Sequence, residues 1–298
     1  INLRYMEFDQ TKLSGSIPAQ IGQMTLLREL DMELTSLSGT IPAQMAGLSS
    51  LQEFDFQDTL VSGTVTPAIG GMGQLRELEI GHTRISGTIP PQIGSVQYLV
   101  FLEMESTRMS GTIPAEIGDL VYLRQLLLYG ARFSGQLPAE LAQLRLLSVC
   151  QLINDQVSTV FGLPNTNSFE CPLPPLPVTC YKNLFSCDPD GASPPPPPYV
   201  LPSPSPSPPS PPSPSPSPPN PPSPPNYQRV SERDALSRVY QSSSGMYWRD
   251  RSGWMSGDSP CDWTGVTCDA DGSVTRLELR SNFLMGTLPA ELANLEEL

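Results

Sequence analysis

Apolar residues recur at a fixed interval of 24 positions along most of this chain. The first apolar position of successive repeats is occupied by Leu3, Leu27, Leu51, Leu75, Leu99, Leu123 and Leu147. Later in each repeat two apolar residues flank a polar one, as Leu78 and Ile80 do, which is the pattern of a strand with one buried face. The periodicity predicts a solenoid in which successive short strands stack their apolar side chains into one continuous core.

A turn segment close to S-G-T-I-P follows each predicted strand. Its glycine gives the backbone the freedom for a sharp turn, and its proline starts a short helical segment. In the third repeat Thr66 occupies the proline position and Pro67 follows it, so we expect this repeat to bend differently. Asn282 places an amide at the turn after its own strand. At the equivalent position a ladder of buried hydroxyls, hydrogen-bonded to neighbouring backbone, is expected from Thr11, Thr35, Thr59, Thr83 and Thr107.

This repeat resembles the plant-type class of leucine-rich repeats, with the pattern L-x-x-L-x-L-x-x-N-x-L-x-G-x-I-P. Residues 75 to 98 read LRELEIGHTRISGTIPPQIGSVQY, and the resemblance covers residues 3 to about 150 and 274 to 298. It implies an α/β fold: a right-handed leucine-rich-repeat solenoid with a parallel β ribbon, short 3-10 or α turns and disulfide-bonded caps. Threonine replaces the asparagine of the pattern in five units, which leaves the expected fold unchanged.

Changes in composition divide the chain into five predicted segments. These are a solenoid at 1–150, a cysteine-containing C-terminal cap at 151–188, a Pro/Ser-rich polyproline II stalk at 189–226, an N-terminal cap at 227–273 and the first repeat of a next solenoid at 274–298. Val274 and Leu298 share the phase of Leu3, so the period would continue if Leu295 were joined to Ile1. Two interpretations stay open: tandem domains of a longer polypeptide, or a fibre in which the N-terminal cap of one subunit seals the open start of the next.

The cysteines lie at predicted domain ends and outside the regular repeats. They are Cys150, Cys171, Cys180, Cys187, Cys261 and Cys268. This placement favours disulfides formed in an oxidising compartment over zinc, since zinc sites use short paired spacings, often with histidine, and His82 is the only histidine. The C-x-W-x-G-V-x-C segment around Trp263 resembles the N-terminal cap of leucine-rich-repeat proteins, which implies that Cys261 pairs with Cys268. The pairing of the other four stays open.

Residues 193 to 226 are almost wholly proline and serine, a composition that cannot form a core and predicts polyproline II. The alternation of serine and proline resembles extensins and the wall glycoproteins of plants and green algae. That resemblance implies hydroxylation and O-glycosylation at candidates Ser193, Pro194, Pro195, Pro196, Pro197, Pro198, Ser203, Ser205 and Ser207. A stiff, unmodified spacer is the alternative.

The chain is acidic, with 17 Lys and Arg against 30 Asp and Glu and a formal net charge of -13. This balance argues against nucleic acid as a partner and favours cationic partners, calcium or simple solubility. The strand positions expected to face the concave surface carry Glu7, Asp31, Asp55, Glu79 and Glu103 at the centre, with Asp9, Glu29, Glu33, Glu53, Glu77 and Glu105 beside them. Neighbouring strands lie about 4.8 Å apart, so these charges repel unless something neutralises them.

Three interpretations of the acidic face stay open. It is a solvated face whose charge is shared by Arg4, Arg28, Arg76 and Arg124, or a docking site for a basic peptide, stalk or neighbour, or a calcium site. Calcium is the weaker of the two functional interpretations because no D-x-D-x-D-G loop is present. No other cofactor is expected.

Catalysis finds no support in the sequence, because His82 stands alone and neither G-x-S-x-G nor H-E-x-x-H occurs. No apolar run approaches the length that spans a bilayer. The resemblance implies a non-enzymatic, extracellular glycoprotein of a cell wall, matrix or surface fibre, whose solenoids join head to tail. Two alternatives share the fold: a receptor-like ectodomain that recognises a peptide or wall glycan on the acidic concave face, and an inhibitor of wall-degrading enzymes.

Overall fold

The computed structural model of the chain describes residues 3–153, 159–160, 163–164, 167–170, 173–174, 176–177, 180, 232–257 and 259–296. Cys171, Cys187, the predicted stalk and its modification candidates lie outside these residues. Within the described ranges, no helix is both long enough and apolar enough to cross a membrane.

One strand from each repeat contributes to a nine-stranded sheet that runs the length of the solenoid. In spatial order the strands are β13 (Val149–Gln151), β11 (Gln125–Leu127), β9 (Phe101–Glu103), β7 (Glu77–Glu79), β5 (Glu53–Asp55), β3 (Glu29–Asp31), β1 (Tyr5–Glu7), β18 (Val274–Glu278) and β17 (Val266–Cys268). Neighbours are parallel, except that β17 runs antiparallel to β18. Pairing joins equivalent positions, so Tyr5 lies beside Glu29 and Met6 beside Leu30.

The turn segments form a second sheet, of eight strands. Its order is β16 (Ser168–Phe169), β12 (Arg132–Gly135), β10 (Arg108–Gly111), β8 (Arg84–Gly87), β6 (Leu60–Thr64), β4 (Ser36–Thr40), β2 (Lys12–Ser16) and β19 (Met285–Thr287), while β14 (Thr159–Val160) and β15 (Leu163–Pro164) pair separately. Glycine is required in this sheet for two reasons. Gly111 has a φ of +83°, and a Cβ there would lie 2.9 Å from Cγ2 of Thr88 in the preceding repeat.

Short 3-10 helices carry the chain back to the first sheet. They span Ala19–Gln23, Ala43–Gly47, Pro67–Gly71, Pro91–Ser95, Ala115–Asp119, Ala139–Gln143 and Ala290–Glu296, with Gly245–Tyr247, Pro260–Asp262 and helix α1 (Glu232–Ser242) in the cap. The core lies between the two sheets and these helices, and the inward strand residues, such as Met6 and Phe8, are fully buried. This arrangement confirms the predicted α/β leucine-rich-repeat solenoid.

The buried threonines bond within their own repeats. The hydroxyl of Thr83 donates to the carbonyl of Ile80 at 2.7 Å and accepts from the amide of Ile85 at 3.4 Å, and the other four threonines repeat this pattern. Hydroxyl bonds between repeats come instead from the serine of S-G-T. Ser62 donates to the carbonyl of Gly39 at 2.8 Å, and Ser86 donates to that of Gly63 at 3.0 Å.

Residues 232–257 and 259–296 cap the solenoid of their own chain. β18 pairs with β1 and β19 with β2, and the amide of Arg4 donates to the carbonyl of Thr275 at 2.8 Å. Residues 274–298 were predicted to begin a next solenoid. In this structure their strands β18 and β19 instead form the first coil of the same one. The shared phase of Val274 and Leu3 explains this, because it lets β18 pair with β1 in the register used by every other repeat. The open start, on which the head-to-tail hypothesis depended, is covered within the chain.

Asparagines and disulfides hold the two ends. Asn282 donates to the carbonyl of Asp250 at 2.7 Å in the cap, while at the other end Asn167 donates to the carbonyls of Leu128 at 2.7 Å and Leu152 at 2.6 Å. The predicted Cys261–Cys268 disulfide is confirmed. Among the four cysteines left open by the sequence, Cys150 bonds to Cys180.

The irregular third repeat borders a cavity of about 40 Å³. The lining includes Val65, Thr66 and Ala68, together with the core residues Phe54 and Ile80. Other repeats place isoleucine at the position of Val65, as at Ile41 and Ile89, and a longer side chain at that of Ala68. The smaller side chains leave this space unfilled.

We expect Val65→Ile to raise the free energy of unfolding by about 0.5–1 kcal/mol, because one added methylene enters an existing cavity. The reverse change in the regular fourth repeat, Ile89→Val, should cost about 0.5–1.5 kcal/mol. Urea unfolding of both variants checks this, and a destabilised Val65→Ile protein would contradict the assignment of the cavity.

Candidate binding face

Three rows of side chains cross the exposed face of the nine-stranded sheet, which we call the concave face. Strand register fixes their order from the cap towards the C-terminal end. Row one is Arg276, Tyr5, Glu29, Glu53, Glu77, Phe101 and Gln125, and row two is Glu278, Glu7, Asp31, Asp55, Glu79, Glu103, Leu127 and Gln151. Row three lies two residues beyond row two and holds Arg280, Asp9, Glu33, Gln57, Gly81, Glu105 and Tyr129. The structure therefore brings all eleven predicted carboxylates together on one face.

Several of these carboxylates are more buried than a flat ladder suggests. Glu7, Asp9, Asp55, Glu103 and Glu105 each retain less than a tenth of their surface. Packing from the neighbouring strands on both sides removes water from them. Burial of a carboxylate without a cation disfavours its charged form.

Burial is the main cause of raised pKa values along the face, and neighbouring carboxylates add to it. The pKa rises to about 7 at Asp31, Glu53 and Glu105, and to about 8 at Asp55 and Glu79. Burial also raises the pKa of Asp9, Glu29, Glu33 and Glu77. The central face therefore changes its charge near neutral pH.

Two glutamines bridge the carboxylates in the middle of the face. The side-chain amide of Gln57 donates to Oε2 of Glu79 at 3.1 Å and to Oε2 of Glu103 at 2.8 Å, spanning two repeats. Gln125 donates to Oε1 of Glu103. These amides satisfy acceptors but bring no positive charge.

The chain supplies its cations at the cap end of the face. Arg276 bonds to Glu7 and lies 4.0 Å from the ring centre of Tyr5, while Arg280 pairs with Glu278 at 2.8 Å. The sequence pointed instead to Arg4, Arg28, Arg76 and Arg124. Of these, Arg76 opposes the rise in the pKa of Glu77, which burial and Glu103 cause. No ion pair in the described part of the chain joins those four to the face.

The other end of the face is neutral and partly apolar, with Phe101, Leu127 and Tyr129 half-buried on it. The concave face therefore has three zones: basic and aromatic at the cap, acidic in the middle and apolar at the C-terminal end. His82 is exposed, with Nε2 3.8 Å from Oε1 of Glu105. Sequence reasoning missed Gln57, Arg276 and Arg280, although the repeat phase already placed each of them beside an acidic position.

Within the described ranges, no group of three or more His, Cys, Asp or Glu side chains is arranged to hold a metal ion. The calcium hypothesis stays a prediction. The three tryptophans of the cap, Trp248, Trp254 and Trp263, are buried and pack against one another edge-on or tilted, so they belong to the core.

Comparison with known protein families agrees with this architecture. The model of the leucine rich repeat N-terminal domain matches residues 231–269, and that of the Leucine Rich Repeat matches residues 74–96. Leucine-rich repeat protein 1 from rice, Oryza sativa, is 44% identical over 73 residues, which are 23% of this chain and 32% of the relative. This chain thus spans about a third of the length of that relative.

Two solved structures from Arabidopsis show a similar fold. One is the leucine-rich-repeat ectodomain of the membrane receptor kinase GASSHO1/SCHENGEN3 in complex with CASPARIAN STRIP INTEGRITY FACTOR 2, with a TM-score of 0.52 and 30% identity over 57% of this chain and 19% of that one. The other is the ectodomain of the receptor kinase HAESA with an extended IDA peptide hormone ligand, with a TM-score of 0.50 and 26% identity over 56% of this chain and 26% of that one.

The raised pKa values predict that stability falls as pH rises. A carboxyl group whose folded pKa exceeds its unfolded value, near 4, contributes stability that is complete below pH ~4 and is lost through the folded pKa. With folded values of about 7 and 8, the loss should fall between pH 5 and 8.5. Urea unfolding at low salt measures it.

Matched variants locate the effect. The pair Asp55→Asn and Glu79→Gln should flatten this pH dependence, whereas Glu116→Gln and Asp119→Asn, which change exposed carboxylates on a 3-10 helix, should leave it intact. Stability that rises over the same pH range, or a slope that is insensitive to the first pair, would refute this account of the face.

Proposed function

We propose that this chain, which resembles the plant-type leucine-rich-repeat proteins, is a non-enzymatic extracellular module that binds a basic peptide segment along its concave face. The proposal depends on one observation: four carboxylates of row two, from Asp31 to Glu103, lie buried or half-buried in the middle of the face, with amides but no cation paired with them. A cationic ligand would neutralise that charge, and electrostatic complementarity of this kind speeds association and selects partners.

The three zones also suggest an orientation for the ligand. Row two carries carboxylates on five neighbouring strands from β1 to β9, a span of about 19 Å at 4.8 Å per strand. An extended peptide covers this distance with roughly six residues. Basic residues would occupy the middle, an acidic group would face Arg276 and Arg280, and an apolar residue would contact Phe101 and Leu127.

The comparisons support a protein ligand, since one similar ectodomain binds a peptide hormone and another was solved with CASPARIAN STRIP INTEGRITY FACTOR 2. This chain covers only 19% and 26% of those two proteins, so their whole activities are not transferred to it. The Cys150–Cys180 and Cys261–Cys268 disulfides support an extracellular location, because such bonds persist in oxidising compartments.

A synthetic octapeptide of alternating arginine and serine tests the proposal. Calorimetry at pH 8 and 50 mM salt should detect its binding, but not that of analogues with citrulline or glutamate in place of arginine. The pair Asp55→Asn and Glu79→Gln should weaken binding at least about tenfold, since charged hydrogen bonds are lost. Binding should also weaken in 300 mM salt.

The control pair is Glu116→Gln and Asp119→Asn, which removes as much charge away from the concave face and should change the dissociation constant less than about twofold. If the arginine and citrulline peptides bind equally, or if both variant pairs weaken binding alike, the concave face is not the binding site.

Head-to-tail assembly, with a glycosylated stalk, is a second candidate function. One observation favours it: the cap contacts the solenoid through strand pairing, with Tyr5 beside Arg276. Along the chain, the cap is joined to the C-terminal end of the solenoid through residues 181 to 231. The same pairing could form between copies, as in domain exchange. A wall or matrix fibre would then consist of chains that cap one another.

The variant with Tyr5→Cys and Arg276→Cys distinguishes the two arrangements, because an added disulfide records which copy supplies the cap. Assembly predicts disulfide-linked oligomers on non-reducing gels at high protein concentration. The single variants, which lack one partner, should give no ladder of higher multiples. Monomers alone from the double variant at all concentrations would exclude assembly by this route.

A further inference from the structure

Row three of the concave face has a glycine at one strand exit, and we call the gap that this leaves in the row of side chains the notch. Gly81 occupies this position, between Gln57 and Glu105. With no side chain at Gly81, the carboxylate of Glu105 lies against the backbone there. A Cβ on residue 81 would stand 2.5 Å from Oε1 and 2.9 Å from Oε2 of Glu105.

Glu105 is the unusual member of this notch. It keeps only 4% of its surface, and Oε2 has no hydrogen-bond partner, while His82 lies 3.8 Å from Oε1. A buried charged oxygen without a partner costs free energy that a bound donor would recover. By contrast Glu33, three repeats away in the same row, is half-buried and hydrogen-bonds Gln10.

The surroundings of Glu105 match an organic cation rather than a metal. Glu79 and Glu103 border the notch and share the amide of Gln57, whose hydrogens point at their oxygens as a bound N–H group would. In the part of the chain that the structure describes, no three acidic or histidine side chains are placed to hold a metal ion. Tyr129 follows Glu105 in row three and is half-buried there. Burial raises the pKa of Tyr129, and the charges of Glu105 and Glu103 add to that rise.

We infer that this notch, lined by Gly81, Glu105, Glu103, Glu79 and Tyr129, is a subsite for one guanidinium or ammonium group of the ligand. Its carboxylate oxygens accept the N–H donors of that group, and the ring of Tyr129 contacts its face. The inference rests on the proposed function and adds a specific contact to it. One basic residue of the bound peptide is anchored in the notch, and the other basic residues interact with the remaining carboxylates of the concave face.

A double-mutant cycle tests the subsite. The arginine–serine octapeptide and four analogues, each with citrulline at one arginine, are titrated at pH 8 into the wild-type chain, Glu105→Gln and Glu33→Gln. A subsite predicts that Glu105→Gln weakens binding of the unmodified octapeptide at least about tenfold, and that Glu33→Gln weakens it less than about fivefold. For one of the citrulline analogues, Glu105→Gln should cause little further loss of affinity, because the citrulline has already removed the contact that Glu105 makes.

Gly81→Ala is the second variant, since its methyl group displaces the Glu105 carboxylate while the face keeps every charge. This variant should weaken binding of the same octapeptide, and the loss should be coupled to the same arginine position as in Glu105→Gln. Thermal unfolding verifies folding, and Glu105→Gln should be no less stable than wild type at pH 8, because it removes a buried unpaired charge.

The outcomes separate the two levels of the proposal. If the peptide binds but Glu105→Gln and Glu33→Gln weaken it equally, with no coupled position, the subsite is wrong and the acidic face stands. If no arginine peptide binds at all, the proposed function fails. Titration of argininamide alone identifies the source of the cation. If argininamide binds and Glu105→Gln abolishes that binding, the subsite takes a free small cation. If argininamide does not bind while the octapeptide binds tightly, the subsite takes a side chain of a peptide.

Discussion

In-register stacking of a 24-residue repeat is the constraint on which the rest of this structure depends. Because each strand pairs with its equivalent in the next repeat, every repeat position becomes a row along the solenoid. At inward positions this rule produces a continuous core, with Met6 beside Leu30 and Leu30 beside Phe54. At outward positions the same rule forces Glu29, Glu53 and Glu77 side by side, although like charges in such positions repel. The acidic face is thus a direct consequence of the pairing that stabilises the fold.

Stacking also creates two ends that a solenoid must close. At the start, the cap contributes strand β18 and a cluster of buried tryptophans, and Asn282 ties the first coil to it through the carbonyl of Asp250. At the other end, Asn167 bonds the carbonyls of Leu128 and Leu152. Asn282 stands at the position that threonine holds in five internal repeats. Asn167 lies outside that phase, but it bonds the carbonyl of Leu128, the equivalent of the Met104 carbonyl that Thr107 bonds. The longer amide reaches across to a separate segment, whereas the threonine hydroxyl reaches only its own repeat.

The sequence alone was sufficient for the fold and for the members of the acidic face, because both follow from phase. It was insufficient wherever the answer depended on which segments meet in space. The phase of Val274 allowed either a new solenoid or a first coil for the existing one, and only the pairing of Tyr5 with Arg276 decides. The notch at Gly81 was equally hidden. A glycine in a row of long side chains marks a gap, but the Glu105 carboxylate that lies against it became visible only in the structure.

The concave face and the core make opposite demands on the same strands. Acidic residues are poor strand formers, and burial raises the pKa of Asp55 and Glu79 to about 8, so the charged face lowers stability as it gains the charge that a cation recognises. Protons and cationic ligands are therefore alternative partners of the same oxygens. Near neutral pH the face still holds protons, and a ligand that binds the ionised face must displace them. By linkage, the ligand stabilises the fold by the free energy of its binding. Stability and recognition are consequently coupled through one row of carboxylates, which the stacking of the repeat placed there.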